Sequence, residues 1–425
     1  MSAYQEMTKD ELKAEYGRLM EEYKAYQARG LSLDMSRGKP GADQLDISME
    51  MMTLLARPED CKADDGFDCR NYGLMDGLPE ARQFFAGLMG VKRENVIAGG
   101  NSSLNMMYDT IAAAYTHGLR GHMPWGRQDG LKFLCPVPGY DRHFTVTEHF
   151  GFAMIPVPMT PDGPDMEEVE RLVKDDESVK GIWCVPKYSN PQGYTYSDET
   201  VRRFAALKPA APDFLILWDN AYIVHDLENE TDPLLNLMEE CEKAGNENLA
   251  VMFTSTSKIT FPGGGIAAMT ASPENMKDFR RRLFCQSIGP DKLNQLRHVR
   301  FFRECGGVAE LMKKHKAILC PKFEMVVSKL RSNLGELGIM SWNEPRGGYF
   351  VSVDTLPGCA ARVVALCKEA GVVMTPAGAT FPYGKDPQDR NIRIAPTLPP
   401  VPELETAMEL FCLCVKLASA EQLLK

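Results

Sequence analysis

"FTSTSKITFPGGG", residues 253–265, sets four hydroxyl side chains directly ahead of Lys258 and follows it with a proline and three glycines. The apolar run "LAVMF", residues 249–253, leads straight into it. This reads as a buried strand that ends in a polar cluster and a lysine. A lone Ser-Lys pair on a loop is ordinarily a solvated turn, so the reading depends on what the rest of the chain does. The same pattern recurs upstream. "NVIAGG" (95–100), "LKFLCPVPGY" (131–140), "GFAMIPVPM" (151–159), "VKGIWCVPKY" (179–188) and "FLILWDNAY" (214–222) are short apolar runs that end in polar or glycine-rich residues. Helical patterns separate them: "NSSLNMMYDTIAAAYTHG", "DRHFTVTEHFG", "DMEEVERLVKD" and "DETVRRFAAL". Buried strands alternating with helices predict an α/β domain with a largely parallel sheet over about residues 50–300. In such sheets ligands sit at the carboxyl ends of the strands.

The flanks read differently. Thr8 and Glu11 fit a capping box, and Leu12, Tyr16, Leu19, Tyr23 and Tyr26 recur at helical spacing, so a helix is expected over about 8–28. "PEARQFFAGLMG" (79–90) predicts a second helix with proline in its first turn. From about 300 the chain becomes α+β: one or two long helices, "GGYFVSVD", a helix near 359–370, "VVMTPAGATF", "NIRIAPT" and a terminal helix near 402–421. The expected division is 1–49 as an N-terminal arm with part of a small domain, 50–300 as the large domain, and 301–425 as the small C-terminal domain. No repeat or low-complexity linker interrupts it.

Composition narrows the function. The 425 residues are 44% hydrophobic and 25% charged, with a net charge of −10, which suits a globular enzyme of two domains. A nucleic-acid binder normally shows a basic surface, and the longest basic cluster is Arg280 to Arg282. The 12 cysteines include no C-x-x-C pair, so they read as reduced thiols and no metal site is expected. No eighteen-residue apolar stretch occurs, which predicts a cytoplasmic protein without membrane association.

The strand ends carry the candidate chemistry. "AGGNSSL" offers a helix start whose free N–H groups bind anions, with Asn101, Ser102 and Ser103 beside it. "PVPGYDRH" offers Tyr140 and His143, and "PKYSNPQG" offers Asn190 in a turn. Asp219 ends a strongly apolar strand, where a carboxylate needs a cation or a hydrogen-bonding task. Tyr222 follows it. A lysine in a pocket, such as Lys258, can lose its proton and attack carbonyls. Arg393 in "NIRIAPT" offers a planar fork for a carboxylate.

The order Asn190, Asp219, Lys258, Arg393 resembles fold-type I pyridoxal-phosphate enzymes, specifically class I aminotransferases. The resemblance covers nearly the whole chain and includes "YGLMDGLPEAR" (72–82) and "PRGGYF" (345–350). "SRGKP", "GGNSSLNMMYD", "FLCPVPGYDRHF", "CVPKYSNPQG" and "STSKITFPGGG" are similar to a bacterial aspartate aminotransferase subgroup often described beside MocR-type proteins. The resemblance implies an α/β fold-type I architecture. Its large domain would carry a mostly parallel mixed sheet of the seven-stranded type flanked by helices, and a smaller α+β domain would adjoin it.

The resemblance also implies residue roles. Lys258 would hold pyridoxal phosphate as a Schiff base and move a proton at the substrate. Asp219 would pair with the ring nitrogen, with His143 behind it. Asn190 and Tyr222 would bond the phenolic oxygen, and Tyr140 would stack on the ring. Asn101, Ser102, Ser103, Ser255 and Ser257 would cradle the phosphate, joined by Tyr72 from the partner subunit of a homodimer. Arg393 would clamp the α-carboxylate, with Asn190 and Gly38 nearby. The family's phosphate-binding arginine shortly after the lysine is absent, since Gly263, Gly264, Gly265 and Ile266 occupy that stretch. Arg37 and Lys187 stand as substitutes, and Arg37, Arg127 and Arg142 as cations for an acidic substrate side chain. The expected reaction is L-aspartate plus 2-oxoglutarate to oxaloacetate plus L-glutamate, by a ping-pong route. The alternatives are an aminoadipate, alanine or aromatic aminotransferase, an elimination or decarboxylation enzyme, and a ligand-sensing relative of MocR regulators. A pyridine-nucleotide binder is disfavoured because "GGNSSLNM" lacks G-x-G-x-x-G.

Overall fold

The computed structural model describes residues 4–425. Its centre is an eight-stranded sheet. In spatial order the strands are Val96–Ala98, Ala267–Ala271, Ala250–Ser255, Leu215–Asp219, Val179–Cys184, Lys132–Val137, Ala153–Thr160 and Gly163–Pro164. The five strands from Ala250–Ser255 to Ala153–Thr160 run parallel. Ala267–Ala271 is antiparallel to both its neighbours, and the two-residue Gly163–Pro164 adds an antiparallel edge to the seven others. Every residue of Val179–Cys184, Leu215–Asp219 and Ala250–Ser255 is buried, as expected of strands with helices on both faces. The six runs named from the sequence all form strands of this sheet. Ala267–Ala271 escaped notice because "AAMTA" is short and small-sided, with neither alternation nor bulk. The helices Pro273–Gln286 and Lys292–Glu304 also went unread, because their narrow stripes Met276, Phe279, Leu283 and Leu293, Leu296, Val299 are set among charged residues.

The chain ends meet in a second body. Met340–Trp342, Val351–Thr355 and Asn391–Ile394 form an antiparallel sheet, and Leu33–Met35 pairs in parallel with Val372–Met374. Helix Lys9–Gln27, capped by Thr8 and Glu11 in a capping box, shares one apolar core with helices Val308–Leu334 and Val401–Leu424. The stretch read as one or two long helices is a single 27-residue helix, Val308–Leu334, with Pro321 inside it. Strand Asn391–Ile394 belongs to this body and carries Arg393. No helix among the described residues is long and apolar enough to cross a membrane.

The amino-terminal side of the large sheet is tied by a buried polar cluster. Lys180 Nζ lies 2.9 Å from Asp213 Oδ1, and Trp125 Nε1 donates to Asp213 Oδ2 at 2.8 Å. All three side chains are buried. Asp213→Ala leaves an ammonium and an indole N–H without their acceptor, so we expect a loss of about 3 kcal/mol, read as a lower urea midpoint.

Candidate active site

Asp219 is the last residue of strand Leu215–Asp219 and is only 3% exposed. A carboxylate in that position needs support, and it comes from the helix that follows strand Lys132–Val137, two places along the sheet. His143 Nε2 donates to Asp219 Oδ2 at 3.1 Å. The imidazole lies flat on Trp183 of strand Val179–Cys184, with centroids 4.3 Å apart and planes 6° from parallel. Thr147 Oγ1 accepts from Trp183 Nε1 and donates to the His143 carbonyl, each at 2.8 Å, which locks indole and helix together. Asp219 Oδ1 is buried with no hydrogen-bond partner. Tyr140 meets the His143 ring edge-on at 4.9 Å, and burial pushes its phenol up to about 12.

Lys258 sits in the turn after strand Ala250–Ser255. Its Nζ stands 5.1 Å from the centroid of the Tyr222 ring and 5.8 Å from that of Tyr349. Burial pulls its pKa below the usual lysine range, opposed by the negative charge of Asp219. Burial also holds the Tyr222 phenol well above its ordinary value.

Around the lysine, Ser255 Oγ donates to Ser257 Oγ at 3.0 Å, and Ser257 Oγ to the Asn101 carbonyl at 3.4 Å. Asn101 Nδ2 reaches the Gly263 carbonyl at 3.3 Å. Ser102 caps helix Ser103–His117 by accepting from the Asn105 N–H, so its hydroxyl is partly occupied and the open donors are backbone N–H groups of the first turn.

Arg393 is 5% exposed. Its Nη1 donates to Asn190 Oδ1 at 3.1 Å and to Asp141 Oδ1 at 2.9 Å, and its guanidinium lies 4.9 Å from the centroid of Phe350. A Cβ on Gly38 would stand 2.6 Å from the same Phe350 ring, so glycine is the residue that fits there.

Several candidates lie apart. Tyr72 is 76% exposed and touches none of this cluster in the single chain. Lys187 is buried but committed to Asp226 at 3.2 Å and to Thr231 Oγ1 at 2.8 Å. Arg37 and Arg142 are exposed. Arg127 follows Trp125, whose indole is bound at the opposite end of the strands.

The sequence reading missed Asp141, which looked like an ordinary first-turn acid, and Trp183, which looked like core. It also missed the supports of the lysine turn. His225 Nε2 donates to the Lys258 carbonyl at 3.3 Å, and Tyr349 Oη approaches it at 3.5 Å. Gln44 Nε2 reaches Tyr349 Oη at 3.1 Å and His315 Nδ1 at 3.2 Å, and His315 Nε2 bonds the Ile259 carbonyl at 2.9 Å.

A buried amine, a paired carboxylate and an arginine-asparagine clamp at the carboxyl edge of a mixed sheet define an enzyme that works on amino and carboxylate groups. Comparison with known proteins agrees. The model of the family described as "Aspartate amino-transferase" matches residues 7–425. An aspartate aminotransferase of Corynebacterium glutamicum is 48% identical over 396 residues, covering 93% of this chain and 91% of that protein. The crystal structure of an aspartate transaminase from Corynebacterium glutamicum superposes with a TM-score of 0.96 at 45% identity, covering 99% of each chain. The α-aminoadipate aminotransferase of Thermus thermophilus, solved with N-(5'-phosphopyridoxyl)-L-leucine, shares the fold at a TM-score of 0.75 and 19% identity, over 94% of this chain and 95% of that one.

The chain belongs to the aspartate amino-transferase family. It is an aminotransferase, and pyridoxal phosphate is its cofactor. The side chains fit that cofactor: unpartnered Asp219 Oδ1 suits a protonated ring nitrogen, the helix start and serines suit a phosphate, and Lys258 Nζ suits an aldehyde carbon.

His225 makes part of this site sensitive to acid. Burial, reinforced by the charge of Lys258, lowers its pKa to about 3. Unfolded histidine titrates near 6.5, so between these values the unfolded chain binds a proton that the folded chain does not. Stability therefore falls as pH drops below about 6.5, with His225 accounting for on the order of 2 kcal/mol between pH 7 and 5. His225→Asn should flatten that part of the slope in urea titrations of the cofactor-free protein at the two pH values.

Proposed function

We propose that the chain transfers the amino group of L-aspartate to 2-oxoglutarate, yielding oxaloacetate and L-glutamate in two half-reactions at one site. The observation that carries this reading is the convergence of Lys258, the Asp219–His143 pair and the Arg393–Asn190 clamp in a chain 48% identical to an aspartate aminotransferase. When bound, pyridoxal phosphate supplies a carbonyl for amines and an electron-poor ring that takes up the electron pair of a breaking Cα–H bond.

The remaining work falls to the protein. Lys258, with its pKa lowered by burial, has an amine able to take and return a proton at the substrate Cα. Asp219, oriented by His143, would keep the ring nitrogen protonated through its free oxygen. Tyr222 and Asn190 would address the phenolic oxygen, and Tyr140 would cover a ring face. Asn101, Ser102, Ser103, Ser255 and Ser257 would hold the phosphate. Arg393 and Asn190 would grip the α-carboxylate beside Gly38, and Arg37, next to Gly38 in the chain, is the candidate for the second carboxylate of aspartate. Exposed Tyr72 would reach the phosphate of a second copy, so the working unit would be a homodimer, acting in the cytoplasm. Residues 50–300 hold the cofactor as one domain, and 1–49 with 301–425 bring the clamp as another, so closure of the two would exclude water.

The test is visible absorption of the purified protein with pyridoxal phosphate. L-aspartate should abolish the long-wavelength band and 2-oxoglutarate should restore it. A band that aspartate leaves unmoved means the cofactor site is right and the substrate wrong. Lys258→Ala should retain the fold and lose transamination; an active variant would remove the lysine from the chemistry. Arg393→Ala should raise KM for both substrates by about 100-fold, more than it lowers kcat. Unchanged KM values would take Arg393 out of the site.

A further inference from the structure

We propose that Asp141 stands in for the substrate, holding Arg393 until an α-carboxylate displaces it, and thereby sets the affinity for both substrates. The proposal rests on the assignment of Arg393 as the carboxylate clamp. Arg393 Nη1 carries two hydrogens, and both are spoken for: one by Asn190 Oδ1 at 3.1 Å, the other by Asp141 Oδ1 at 2.9 Å. Arg393 Nε has no partner but is enclosed by protein atoms, so the edge within a ligand's reach is the one formed by Nη1 and Nη2. An incoming carboxylate that uses that edge takes the hydrogen now given to Asp141.

The two partners differ in how firmly they are held. The Arg393 side chain is 5% exposed and rests on Phe350, whereas the Asp141 side chain is 35% exposed. Asp141 is therefore the member that can turn out to solvent. It is also the first residue of helix Asp141–His149, where unpaired N–H groups give a released carboxylate a favourable resting place. Displacement exchanges one carboxylate for another at Arg393 and leaves no buried guanidinium uncompensated. The contact also joins the two bodies of the fold, because Asp141 follows a strand of the large sheet and Arg393 lies on strand Asn391–Ile394. Neighbouring ties run the same way: the Gly139 N–H donates to the Thr380 carbonyl at 2.8 Å, and the Met154 N–H to Tyr383 Oη at 3.0 Å.

An internal competitor lowers apparent affinity by the fraction of molecules in which it is bound. It acts on the α-carboxylate, which amino and 2-oxo acids share, so it shifts both affinities together without selecting between them. The experiment measures maleate binding to the holoenzyme, and KM for L-aspartate and 2-oxoglutarate, in Asp141→Asn and Asp141→Ala. Maleate should bind about fivefold more tightly or better, with both KM values falling by a common factor and kcat moving less. Unchanged or weaker maleate binding in both variants overturns the proposal and makes Asp141 a support that orients Arg393. Arg393→Ala, measured alongside, separates the two failures: if it leaves maleate affinity intact, the clamp assignment itself is wrong and the proposal falls with it.

Discussion

A carboxylate at the end of a wholly buried strand is the constraint from which the site follows. Asp219 closes a strand of five buried residues, and burying its charge without a partner would cost several kcal/mol. His143 meets that cost on one oxygen, and the flat stack on Trp183 with the Thr147 bonds fixes the imidazole. The other oxygen is buried and left without a hydrogen-bond partner. Helix Asp141–His149 must therefore sit where it does, and that placement brings Tyr140 edge-on to His143 and Asp141 beside Arg393. One electrostatic requirement thus positions residues from three adjacent strand ends.

The lysine poses the opposite problem. Its amine is useful when it can lose its charge, yet Asp219 tends to keep it charged. Burial outweighs that pull, and the aromatic faces of Tyr222 and Tyr349 surround the amine without offering it a carboxylate. The turn is held through its carbonyls instead of through the lysine side chain, which stays free to engage a ligand.

Much of this was legible in the sequence because it lies in strand ends, where an apolar run stops abruptly at a functional residue. Lys258, Asp219, Asn190 and Tyr222 follow such runs, and His143 opens the helix after another. Asp141 was not legible: an acid in the first turn of a helix is ordinary capping chemistry, and only the meeting of residues 252 positions apart gives it a second meaning. Gln44, Tyr349 and His315 were hidden for the same reason, since each acts through partners far away in the sequence and leaves no local pattern. In the fold, the parallel core was plain from its continuous apolar runs, whereas Ala267–Ala271, made of small residues, carried no periodic signal.

The supports of the lysine turn bear on modularity. Gln44, His315 and Tyr349 all lie outside the segment that builds the large sheet, yet Tyr349 and His315 hold the carbonyls of Lys258 and Ile259, and Gln44 ties those two side chains together. The sheet and its strand-end residues are thus not a self-sufficient cofactor module. Grafted onto a foreign C-terminal body, or shuffled with a distant homologue's, they would carry the right side chains on a turn with its outer scaffold removed. Recombination in this architecture is constrained less by the sheet than by three side chains that arrive from outside it.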